Sequence, residues 1–142
     1  MATKTVDQAA QTNMSQSTWR PGTLDQASEL LGKAIALCHL CRVQVGGEVP
    51  DSHRVEFRWV MATAEHMLAL MRKCEALDIE LDAAGELHSG IAQAVLLFSD
   101  MTLIDGGQHL SDDLTSWVLS SICDSLKRAK AIVDGEPSTQ SH

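Results

Sequence analysis

Chemistry in this chain would have to come from its four cysteines and six histidines, and two of the cysteines stand three apart in Cys38-His39-Leu40-Cys41. A pair at that spacing can supply half of a tetrahedral zinc site. The other half would need Cys74, Cys123, His66 or His88 brought together by folding, because the chain has no second CxxC and no HxxxH. A thioredoxin-like dithiol belongs at the start of a helix that follows a strand, and haem attachment needs a histidine directly after the second cysteine, where Arg42 stands. Cys38 and Cys41 fall instead on an apolar helical seam, where reduced cysteine packs as a small hydrophobe. Core packing is the expected role. A metal or cofactor site built from Cys38, Cys41 and His66 is the alternative.

Other catalytic patterns are missing. There is no Walker loop, no GxSxG and no GxGxxG. The paired acids, Asp112-Asp113 and Glu80 with Asp82, fall at predicted helix starts, where carboxylates complement the helix dipole. Neither an enzyme nor a cofactor is expected.

The elements that would position these residues read as helices throughout. The chain has 142 residues, within the range of one domain, with no Tyr and only three Pro. Its apolar set is rich in Ala, Leu and Met, all strong helix formers. Residues 1–18 and 136–142 are polar, without periodicity, and read as flexible tails flanking one helical domain over residues 19–135. A first helix is expected from Thr23, where Thr23 and Gln26 could form a capping box, to Gly46-Gly47. Its seam is Leu24, Ala27, Leu31, Ala34, Cys38, Cys41 and Val45. A second helix should follow Pro50, capped by Asp51 or Ser52, with Phe57, Val60, Ala64, Met67, Met71 and Cys74 inward. The third should start between Asp78 and Asp82, bury Ala84, Leu87, Ile91, Ala94, Phe98 and Met101, and end at Gly106-Gly107. The fourth should start at Ser111, bury Leu119, Ile122, Leu126, Ala129 and Val133, and stop at Gly135 and Pro137. An all-α four-helix bundle is expected, up-down-up-down because the connections are short, with a compact helical array of steeper crossings as the variant.

Charge narrows the partners. The formal net charge is −8. From Cys74 to Leu126 there is no Lys or Arg, while Glu75, Asp78, Glu80, Asp82, Glu86, Asp100, Asp105, Asp112, Asp113 and Asp124 all fall there. Nucleic-acid binding needs clustered cations and is not expected. No apolar run approaches the roughly 20 residues of a membrane span, and the N-terminus has no apolar signal core. A cytoplasmic protein with reduced thiols is expected.

Apolar surface is in excess. Residues 59–71 (WVMATAEHMLALM) carry one formal charge, Glu65, and residues 90–104 (GIAQAVLLFSDMTLI) carry only Asp100. Helices apolar on all sides must be covered on more than one side, and a short chain has few elements to do it. Trp59, Thr63, His66 and Leu70 on the second helix, with Leu96, Leu97 and Leu103 on the third, are therefore expected to meet a protein partner. Trp59 is the expected anchor, since a large aromatic in a desolvated pocket often dominates binding energy. Trp19 and Trp117 could lie as lids over the bundle ends. The function expected is a small acidic non-enzymatic regulator, homodimeric, acting by protein–protein interaction. An antiactivator that sequesters a transcription factor fits, as does an immunity or adaptor protein.

Overall fold

Proline opens the first helix. Its missing N–H falls where a helix has no acceptor to offer and its fixed φ suits the first turn, and α1 runs Pro21–Val45. The computed structural model describes residues 21–102 and 112–135. Thr23 is already inside α1, so the expected capping box does not mark its start. The far end is a left-handed glycine stop. Gly47 takes φ 72, its N–H donates to the Gln44 carbonyl at 3.3 Å, and the Glu48 N–H donates to the Val43 carbonyl at 2.9 Å. A side chain other than glycine would be strained there.

Asp51 and Ser52 do not cap the second helix. Asp51–His53 is a single 3-10 turn, and α2 runs Phe57–Glu75 with Glu56 at its N-cap, extended and without a capping side chain. The reason lies in Gln44 at the end of α1. Its amide donates to the His53 carbonyl at 2.9 Å and accepts from the Val55 N–H at 3.1 Å. Both halves of one side-chain amide thus satisfy the loop backbone, which stays extended until Glu56. The remaining helices are α3, Leu81–Thr102, and α4, Asp112–Val133. Asp82 lies in the first turn of α3, and Asp112 and Asp113 in that of α4. The expected cap Ser111 and the glycine stop at Gly106-Gly107 lie outside the described residues.

The described residues form four α-helices that pack as a ring, α1 on α2 and α4, α3 on α2 and α4. The fold is all-α. Contacts show how neighbours run. Across α1 and α2, Cys74 reaches the Ala27 carbonyl and Cys41 that of Val60. Across α1 and α4, Cys38 reaches Leu119, and Gly32 lies against Lys130. Across α3 and α4, Glu86 pairs with Arg128 at 3.0 Å, and Leu97 shares a groove with Val118. Across α2 and α3, Glu75 pairs with His88, and Met71 lies against Gly90. Residue numbers rise on one helix as they fall on the next, the antiparallel sense at every seam.

The expected seams of α1, α2 and α4 form the core, with Leu24 and Phe57 at its margin. On α3, Leu87, Ile91 and Ala94 are buried but Leu97 takes the place expected for Phe98. Two expectations about outward faces fail here: Leu70 and Leu97 are core residues, 7% and 4% exposed. An inward arc on a bundle helix is wider than a two-position stripe, so Met67, Leu70, Met71 and Cys74 all fit within it. Beyond its first turn, what α2 leaves exposed is Ala62, Glu65, His66, Ala69, Arg72, Lys73 and Glu75, small or polar rather than greasy. Gly90 sits where three helices meet. A Cβ there would lie 3.2 Å from Met71 Cε and 3.6 Å from Ser125 Cβ.

Candidate functional site

Ring packing hides most of the apolar side chains, yet several large ones stay wet. Trp59 is 55% exposed, Leu40 53% and Val55 48%. All three border one apolar groove of about 270 Å³ between the C-terminal half of α1 and the N-terminal half of α2. Val43, Val49 and Thr63 complete its walls, and Cys41 and Val60 lie at its base. Small-molecule pockets span roughly 300–1,000 Å³, so this one suits a protruding side chain or two better than a whole ligand.

Local structure explains how the groove stays apolar. Thr63 Oγ1 donates back to the Trp59 carbonyl at 2.8 Å, one turn earlier, so its hydroxyl is satisfied. Cys41 donates to the Val60 carbonyl at 3.6 Å. Gln44 spends its amide on the loop that carries Val55. Charge is confined to the border. The Arg58 guanidinium sits 5.1 Å from the Trp59 ring centroid and pairs with Glu56 at 2.7 Å. Arg42 pairs with Glu48 at 3.1 Å. A cation over an indole face holds the ring without covering its other side.

A second apolar hollow, about 220 Å³, lies between α3 and α4, lined by Gln93, Leu96, Leu97 and Val118. Leu96 is 71% exposed and Trp117, on the same stretch of α4, 70%. Trp117 is thus not a lid over the bundle. Antiparallel packing brings both hollows to one end of the molecule, on opposite flanks.

The expected contact residues divide accordingly. Trp59 and Thr63 line the first groove, and Leu96 and Leu97 the second, Leu97 only with its buried edge. His66 is exposed one turn beyond Thr63 but lines neither. Leu70 is in the core. Leu103 lies outside the described residues, as does Trp19. Leu40, Val43, Val49 and Val55 were not anticipated. Leu40 could have been found, because it falls off the α1 seam defined by Cys38 and Cys41; the loop valines carry no periodic signal.

The cysteines take core positions, all free and all buried. Cys38 and Cys41 diverge, Cys38 donating to the Leu119 carbonyl on α4 at 3.1 Å and Cys41 facing α2. Burial pushes the Cys41 and Cys74 thiols up to about 11. With His66 exposed on the outer side of α2, the three residues of the alternative metal set do not converge. Among the described residues no three His, Cys, Asp or Glu side chains gather as a metal ion would require. No described helix is long and apolar enough to cross a membrane.

Comparison of the chain with protein families, with curated proteins and with solved structures finds no match.

Proposed function

We propose that this protein is a small non-enzymatic regulator that works by docking another protein in the groove beside Trp59. One observation carries the reading: Trp59, Leu40 and Val55 expose a contiguous apolar border around a hollow of side-chain size. Tryptophan is among the residues that most often anchor protein interfaces, and its energy is realised when a pocket around it is dried. The hollow at Leu96 and Val118 gives a second contact, which serves to pair two copies of the chain. Two apolar patches on opposite flanks allow both contacts at once.

The partner class that fits is a protein with an apolar, basic-flanked contact face. The stretch from Cys74 to Leu126, without Lys or Arg, presents a negative field that speeds encounter with such a protein. A transcription activator held through its own dimerisation face is the regulator's expected target. A photo-crosslinking residue in place of Leu40, introduced in the native cell, tests this. The expected result is one discrete covalent adduct, lost when Trp59→Asp is added. Absence of an adduct, or the same adduct from position 85 on α3, would overturn the reading.

A further inference from the structure

We propose that Cys38 and Cys123 form a peroxide-sensitive dithiol that closes to a disulfide across the seam between α1 and α4. This is independent of the docking reading. Cys38 Sγ lies 3.1 Å from the carbonyl oxygen of Leu119, one helical turn before Cys123. Side chains on an α-helix lean toward its N-terminus, over the turn before their own Cα. Cys123 therefore leans back over the very turn that Cys38 touches, which sets the two thiols side by side across the seam. The pairing is between helices rather than within the CxxC, because Cys41 turns away to the Val60 carbonyl and Cys74 to that of Ala27.

The two sulfurs are not equivalent. Cys38 is fully buried, whereas Cys123 keeps 6% of its surface. The neighbouring Cys123 sulfur, together with burial, pushes the Cys38 thiol up, so it keeps its proton. The Cys38 thiol beside it draws Cys123 toward the thiolate, helped by Lys127 and Arg42 against burial and Asp124. A thiolate is the nucleophile in thiol oxidation, so Cys123 reacts first.

The chemistry balances with hydrogen peroxide as oxidant. The Cys123 thiolate attacks one peroxide oxygen, the O–O bond breaks, and the departing hydroxide takes up a proton as water. Cys123 is left as a sulfenic acid. Cys38 sulfur then attacks the Cys123 sulfur, the S–O bond breaks, and the Cys38 proton leaves with the hydroxyl as a second water. Two thiols are oxidised to one disulfide and one peroxide is reduced to two waters.

The test uses the folded full-length chain exposed to hydrogen peroxide, with remaining thiols alkylated after denaturation. Intact mass should fall by two hydrogens, and a linked peptide pair should join Cys38 to Cys123 while Cys41 and Cys74 carry the alkyl label. Dithiothreitol should reverse the change. In Cys38→Ser the intermediate should persist and accept dimedone at Cys123. Wild-type mapping decides the matter even if that variant fails to fold. Prior oxidation of Cys41 or Cys74 would overturn the proposal. So would Cys123 advancing to a sulfinic acid beside an intact Cys38, or four thiols surviving a peroxide dose that oxidises free cysteine.

Discussion

At the scale of single residues, the cysteines show how chemistry-bearing types can be held inert by place. Cys41 and Cys74 lie in the core, and burial raises both from the ordinary 9.0 to about 11. An acid whose pKa rises on folding supports the fold while it keeps its proton. That support is whole below pH 9.0 and drains away as the pH climbs toward about 11, where the unfolded chain has released protons the folded one still holds. Each thiol should contribute up to about 3 kcal/mol of this loss. Urea midpoints should therefore fall steeply across that range, and Cys74→Ala should flatten the fall even though it weakens packing at neutral pH. An unchanged slope would contradict the assignment. The core role of these residues was legible from their seam spacing. The partnership of Cys38 with Cys123 was not, because it joins positions far apart in the chain and no local pattern encodes which seam faces which.

Elements were legible to different depths. Period and glycine stops sufficed for the seam and the far end of α1, since Gly47 at φ 72 terminates it where expected, though not for its start at Pro21. They failed at the start of α2, because Gln44 on another helix satisfies the backbone at residues 53 and 55 and delays the turn into helix. They failed again for Leu70 and Leu97, where an apolar-rich helix gives several stripes of equal merit and only the neighbours select one. Glycines on α3 make this selection measurable. Gly85 has nothing within 4 Å of an added Cβ, so Gly85→Ala should stabilise by about 0.5–1 kcal/mol through helix propensity alone. Gly90 faces Met71 and Ser125, and Gly90→Val should destabilise by about 1–3 kcal/mol through overpacking at the junction of three helices. Chemical denaturation of the two variants checks both signs. A neutral Gly90→Val would mean that the α2–α3–α4 junction is looser than its geometry.

For the whole molecule, the apolar excess visible in the sequence divides into a part the ring buries and a part it cannot. The buried part includes residues first assigned outward, so composition overstated the surface and misplaced it. Trp59 and Leu96 remain exposed on opposite flanks of one end. Light scattering should therefore give twice the chain mass of 15.4 kDa for the purified protein, and Leu96→Asp with Trp117→Asp should return it to one while leaving helicity intact. A single-chain mass in the wild type would remove the α3–α4 flank as a self-association surface. The flank beside Trp59 should stay open in that dimer and close only on the partner. Oxidative footprinting of Trp59, in the purified protein and in the native cell, tests this most directly. Strong labelling when purified and protection in the cell is the outcome expected of a docking groove. Equal labelling in both settings would contradict it.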